Sequence, residues 1–240
     1  MAETSKSQIF DILVFSAHPD DAEFAMGGTL VKFSRAGYRL LHISLTKGDM
    51  GTEGDVPTRM QEFARASEII SCAHEALEFM DTAVENNRES RLLLAKRIRQ
   101  HKPKLVFAPY HTNPVGELGG VCNVDHYTTG ALVRDAVKMA RLAKTVPDVP
   151  RHQIQKLYFY MLPSQVQPTL VVDVTEEMDQ AAEAMMAHGT QIAHVAFGLT
   201  VKERLMTRRA ALGLDIGVKY AEGFVTDMKL IPQARHFFEL

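Results

Sequence analysis

"IFDILVFSAHPDDAEFAMGG", residues 9 to 28, joins an apolar run to a histidine, a proline and two adjacent aspartates. The run at 9–15 reads as a short buried strand. Beyond the glycines, Leu30, Val31 and Phe33 give an amphipathic helix that Gly37 stops. A strand feeding a helix through a tight turn is the first unit of an α/β sheet. The turn itself is the unusual part, because neighbouring carboxylates repel. Either it is a polar turn of odd composition, or its two carboxylates have different jobs around a cation.

The same alternation continues outward. "YRLLHISLT" (38–46) reads as a second strand, and "KGDMGTEGDVP" (47–57) as a loop broken by three glycines and a proline. "TRMQEFARASEIIS" (58–71) opens with Thr58 and Gln61 at capping-box spacing and lines Phe63, Ala66, Ile69 and Ile70 along one helical face. "HEALEFM" (74–80) is a third strand, "RLLLAKRIRQH" (91–101) a helix and "KLVFAPY" (104–110) a fourth strand. Strand and helix in this order imply an α/β, Rossmann-like fold, a mostly parallel sheet with helices on both faces. Ligands of such sheets collect at the carboxyl ends of the strands, where the loops after 15, 46 and 110 converge. The second half is less regular. It offers a loop at 145–153, strands at 157–162 and 170–174, a helix over 175–193 and another over 201–217 with its arginines on a solvated face. No repeat or linker interrupts the chain, so one domain over residues 1–240 is expected.

At 240 residues, 46% hydrophobic and 23% charged, the composition is that of a soluble globular protein. A net charge of −2 with no basic stretch recommends neither nucleic acid nor an anionic membrane as partner. No signal peptide or bilayer-length apolar stretch is visible. Cys72 and Cys122 are too few for a disulfide framework, and a cytoplasmic location is the expectation.

The chemistry-bearing residues cluster after strands. If His18 and Asp21 bind a divalent cation, its charge offsets the carboxylate repulsion, and Asp20 is left to accept a proton from water. A third ligand is needed, since catalytic zinc sites use three protein ligands and keep one position open. His126 in "NVDHYTTG" is the best candidate, with Asp125 beside it to orient a neighbour or accept an outer hydrogen bond. The alternative is ordinary capping, for which Asp and Asn are suited.

"AHPDDAEFAMGGTL", "TKGDMGTEG", "TRMQEFARASEI" and "NVDH" together resemble the LmbE/PIG-L family of metal-dependent N-deacetylases. The likeness continues through "ENNRESRLLLAKRIRQHKPKLVFAPY", "AMMAHGTQIA" and "IGVKYAEGF", nearly the whole chain. Within the family the chain looks most like the bacillithiol-type deacetylases, which act on an N-acetylglucosamine–malate conjugate. The resemblance implies zinc, with ferrous iron or another divalent metal as alternatives, held by His18, Asp21 and His126, with Asp20 as general base. It implies a small amino-sugar substrate and homo-oligomers, for which the apolar tail "HFFEL" (236–240) offers a contact.

The chain departs from the family at one informative place. Where the family has His-Pro-Asp-His, this sequence has Asn123-Val124-Asp125-His126. The family's first histidine is associated with the oxyanion and its aspartate with orienting that histidine. Asn123 can donate a hydrogen bond but carries no positive charge. The long loop "HTNPVGELGGVC" (111–122) offers His111 as a substitute. Arg59 matches the family arginine and is expected either to hold substrate or to pair with Glu62. His188 and Gln191 read as structural hydrogen-bonding residues. Glu222 either lines the site or satisfies backbone donors. Cys122 reads as a small buried thiol. Three competing functions remain: an amidase acting on a larger thiol conjugate, a non-haem iron oxygenase using the same ligand types, and a binding protein without turnover.

Overall fold

Leu13 and Phe15 point to one side of the first strand, Ile12 and Val14 to the other, and all four are buried. A strand apolar on both faces must be covered twice, which dictates a sheet sandwiched between helices. The computed structural model describes residues 8–114, 116–117, 120–196 and 198–228. The first half runs β1 (Ile12–Ser16), α1 (Asp21–Arg35), β2 (Leu40–Ser44), α2 (Val56–Ile70), β3 (Ala73–Ala76), α3 (Arg88–His101), β4 (Leu105–Pro109), α4 (Val124–Arg141) and β5 (Lys156–Tyr160). These strands form one sheet in the order β3-β2-β1-β4-β5, all parallel, with Ile12 registered against both Leu40 and Leu105. One core gathers Leu13, Phe15, Ile43 and Val106 with Leu94 of α3 and Leu132 of α4. The other gathers Ile12, Val14 and Phe107 with Leu30 of α1 and Ala66 of α2. Fully burying a side chain of this size contributes about 1.5–3 kcal/mol.

The strand order reverses direction between β1 and β4. At such a switch point the two following loops diverge to opposite faces and leave a crevice. His18 follows β1, and His126 lies on the helix that follows β4, so both border that crevice. Gly130 sets how closely α4 approaches it. A Cβ there would lie 2.2 Å from the carbonyl oxygen of Pro109, and only glycine allows the contact.

The second half adds β6 (Leu170–Asp173), α5 (Met178–Ala187), α6 (Gly189–Ile192), the short pair β7 (Val195–Ala196) and β8 (Leu199–Thr200), α7 (Val201–Ile216) and β9 (Ala221–Phe224). β6 and β9 pair antiparallel outside the main sheet. Met178, Ala181 and Met185 of α5 complete the second core. No helix among the described residues is long and apolar enough to cross a membrane.

Several boundaries differ from the sequence reading. α2 starts earlier, because Asp55 accepts the Thr58 N–H at 2.9 Å and Pro57 fits the first turn, so Thr58 is inside the helix rather than its cap. The helix expected over 175–193 breaks at His188, whose ψ of 59° is not helical. Arg209 on α7 is not solvated but 4% exposed, since its guanidinium is spent on Glu222 and a backbone carbonyl. The tail at 236–240 lies outside the described residues.

Gly130→Ala should cost about 1–3 kcal/mol in urea unfolding through overpacking against β4. It should also weaken metal retention by displacing His126, one turn earlier on the same helix.

Candidate metal centre

Asp21 is the first residue of α1. Its Oδ2 accepts the N–H groups of Ala17 at 3.0 Å and His18 at 2.8 Å, which braces the turn. Its Oδ1 lies 3.1 Å from Nε2 of His126. His18 presents Nδ1 at 3.2 Å from the same His126 nitrogen and 3.6 Å from Asp21. All three residues are buried, and their donor atoms lie within 4.8 Å of one another. Ligands held about 2.0–2.1 Å from a tetrahedral zinc stand about 3.3 Å apart, so this spacing fits such an ion.

The outward-facing nitrogens explain which atoms are free to ligate. His18 Nε2 lies 3.1 Å from Asp81 Oδ1 and 3.7 Å from Asp125 Oδ2, so that nitrogen is the one held as a donor, and Nδ1 is the one left to ligate once its proton is displaced. His126 Nδ1 faces the carbonyl of Val121 at 3.3 Å, so Nε2 is the nitrogen it turns to Asp21 and His18. His18, Asp81 and Asp125 also form a compact group. Their oxygens are already engaged, however. Asp81 accepts from Met50 N at 3.0 Å, and Asp125 from Thr82 N at 2.6 Å and Val84 N at 3.3 Å. They act as supports for His18 and for the loops.

Burial opposes a charge on His18, yet the carboxylates of Asp21, Asp125 and Asp81 overcome it and raise its pKa to about 12. Burial likewise works against the Asp21 anion, but His126 and His18 hold its carboxyl well below the usual range.

Asp20 precedes α1 but does not cap it with its side chain. Its Oδ1 is instead 3.4 Å from the Arg59 guanidinium, which also donates to the carbonyl of Gly48 at 2.6 Å. A Cβ at Gly48, where φ is +67°, would fall 1.9 Å from that guanidinium, so the glycine makes room for Arg59. Of the two expectations for Arg59, pairing with Glu62 is not seen. Glu62 accepts from Thr190 N and Oγ1, both at 2.8 Å.

Asn123 caps α4, its side-chain oxygen accepting the N–H of Asp125 at 2.9 Å, which turns the amide NH2 away from the helix. His111 is not drawn into the ligand cluster. Its Nε2 lies 3.0 Å from Asp227 and its ring stacks on Tyr110. Cys122 is buried and faces Glu117, and burial first, then that carboxylate, push its thiol up to about 11. Gln191 donates to the carbonyl of Glu53 at 2.8 Å.

Sequence reasoning missed Asp81 and the polar layer beneath the turn. Asp81 lies just past β3, the placement that singled out Asp20 and Asp21, so its signal was available. The layer joins Glu23 to His42 at 3.1 Å and to His188 at 3.7 Å, with His42 bonded to Ser16 at 2.7 Å. Burial works against the Glu23 anion, but His42 and His188 lower its pKa to about 2.

Two imidazoles and one carboxylate at the switch point of a parallel sheet make a candidate metal site on an α/β fold. A profile of the PIG-L (GlcNAc-PI de-N-acetylase) family matches residues 13–137. The diacetylchitobiose deacetylase of Thermococcus kodakarensis is 29% identical over 88% of this chain and 81% of its own. The probable N-acetyl-alpha-D-glucosaminyl L-malate deacetylase 2 of Bacillus anthracis is 25% identical over 76% of this chain and 81% of its own. The crystal structure of the conserved protein TT1542 from Thermus thermophilus superposes with a TM-score of 0.83 at 30% identity, covering 94% of this chain and 98% of that one. The chain belongs to the PIG-L family of de-N-acetylases. It is an enzyme of the amide-hydrolase class.

A cation entering the cluster must displace the proton that Asp21, Asp125 and Asp81 stabilise on His18. Metal affinity should therefore rise with pH, about tenfold per unit between pH 6 and 9, with one proton released. Calorimetry in buffers of different ionisation enthalpy counts that proton, and a count of zero would show His18 neutral before binding. Asp81→Asn should weaken metal affinity about 10- to 100-fold, the usual scale for a group that orients a ligand.

Proposed function

We propose that this protein removes the acetyl group from an N-acetylglucosamine-type substrate, releasing acetate and the free amine, with zinc as its resident cation. The observation that carries the reading is the split between adjacent aspartates. Asp21 faces both histidines, whereas Asp20, the residue before it, is turned to Arg59. Two relatives named for N-acetylated glucosamine units support the substrate class, and a GlcNAc-malate-like conjugate is its narrowest form. The same reading takes residues 1–240 as one domain, cytoplasmic and homo-oligomeric, acting on a small amino sugar without nucleic acid or membrane as partner.

His18, Asp21 and His126 would hold the ion. Bound there, zinc supplies Lewis acidity, polarising the amide carbonyl and lowering the pKa of water toward about 7. Asp20 takes the proton of the attacking water and returns it to the departing amine. Arg59 engages one Asp20 oxygen, and among the described residues the other has no hydrogen-bond partner. Asn123 spends its oxygen on the helix cap and offers its NH2 to the developing oxyanion. Asp125, the neighbour of both Asn123 and His126, keeps His18 and the loop at 82–84 in place. His111 stands farther out as a candidate contact for the substrate, beside Asp227.

Metal analysis with an acetate-release assay over N-acetylated amino sugars tests the proposal. Cleavage of the larger amide of an S-conjugated pseudodisaccharide, with no acetate released from the N-acetylated amino sugars, would favour the larger-amide reading. Iron-dependent oxygen uptake without acetate would overturn hydrolysis.

Asp20→Asn should keep the metal while kcat falls about 10²- to 10⁴-fold. Asp21→Asn should lose metal affinity instead, and exchanged phenotypes would refute the division of roles. Asn123→Ala should lower kcat about 10²- to 10³-fold and also cost about 1 kcal/mol through the lost cap. Asn123→Asp retains a capping oxygen but no donor. It should therefore preserve the melting temperature while kcat still drops, and a wild-type kcat in Asn123→Asp would exclude the oxyanion role.

A further inference from the structure

Helix α1 is broken. Met26, with φ −141° and ψ 24°, is not helical, and it separates a first turn carrying Asp21 and Glu23 from the longer segment that begins at Gly27. In an unbroken helix the N–H of Gly28 would bond to the carbonyl of Phe24, and that of Thr29 to Ala25. Instead both N–H groups point at one carboxylate. Glu222 on β9 accepts from Gly28 at 3.0 Å and from Thr29 at 2.7 Å. The freed carbonyl of Phe24 is taken by the guanidinium of Arg209 on α7 at 2.9 Å. Arg209 and Glu222 are themselves paired at 2.8 Å, with relative exposures of 4% and 2%.

The pair thus supplies both ends of a helix break. The carboxylate caps the positive end of the second segment, and the guanidinium caps the carbonyl end of the first turn. A buried ion pair with so many backbone partners meets its desolvation cost only in this geometry. Gly28 also lets Val174 pack directly on the break, since a Cβ there would strike it at 2.6 Å. The first turn is held from its other side by Asp21 on the backbone of Ala17 and His18, and by Glu23 on His42.

We propose that Arg209 and Glu222 are positioning residues: they keep α1 broken at Met26 and so fix Asp20 and Asp21 against His18 and His126. Without them the helical bonds can close across the break and rotate the first turn relative to the two histidines. This rests on the metal reading of the centre given above.

The test compares wild type with Glu222→Gln, Arg209→Met and Arg209→Lys, using cobalt(II) titration of metal-free protein, kinetics and hydrogen exchange. In Glu222→Gln, cobalt affinity should fall about 10- to 100-fold, with an altered visible spectrum. Its kcat should fall comparably, KM should stay within about threefold, and the exchange pattern of residues 20–29 should change. Arg209→Met should behave alike. Arg209→Lys, which reaches either Phe24 or Glu222 but not both, should lose less than tenfold. If Arg209→Met does not fold, the other two variants decide. A cooperatively folded Glu222→Gln with wild-type cobalt affinity, spectrum and exchange overturns the proposal and leaves an ordinary structural ion pair. If wild type takes up no cobalt, the metal reading fails separately. Exchange over residues 20–29 then decides, and an unchanged value in Glu222→Gln overturns the positioning role.

Discussion

The carboxylate of Asp21 divides its two oxygens between the backbone of the turn it follows and the histidine of a distant helix. One oxygen ties the end of β1 to the start of α1. The other meets His126, which α4 brings across the switch point. A buried carboxylate is tolerated only when its lone pairs are answered, and the answers here come from two separate parts of the chain. The fold and the site therefore share one group. Neutralising it would loosen the turn and take one donor out of the cluster together.

Around that group the charges are arranged unevenly. Asp20, Asp21, Asp81 and Asp125 are all buried, facing the Arg59 guanidinium and two imidazoles. With the imidazoles neutral, as ligation would require, negative charge is in excess around the cluster, which is the electrostatic setting a divalent cation would neutralise. The carboxylates also bind the loops to one another. Asp81, past β3, holds Met50 from the loop past β2, and Asp125 on α4 holds Thr82 and Val84 past β3. Loops that carry function are normally mobile. These are fastened through the same acids that surround His18.

The second half of the chain serves the first from behind. α5 closes the second core, and β9 with α7 reaches the middle of α1 through Glu222 and Arg209. Residues far from the crevice thereby govern the angle of the turn that faces it. A centre held within tenths of an ångström needs such support from rigid elements.

Strand and helix order, the parallel sheet and the clustering of acids and histidines after strands were all legible in the sequence, because apolar periodicity and turn chemistry are local properties. His18, Asp20, Asp21, Asn123, Asp125 and His126 could be singled out by their place behind apolar runs. Their partners could not. That Arg59 would meet Asp20 rather than Glu62, that Asp81 would hold His18, that His111 would turn to Asp227, and that Arg209 would be buried all depend on residues tens of positions apart in the chain. Even the cap of α2 passed from Thr58 to Asp55, since two nearby side chains could each satisfy the same orphan donors and backbone geometry chose between them. Local pattern determined which residues lie at the carboxyl edge. Long-range packing alone decided which oxygen faces which nitrogen, because burial makes each polar atom find a partner among whatever the fold brings within reach.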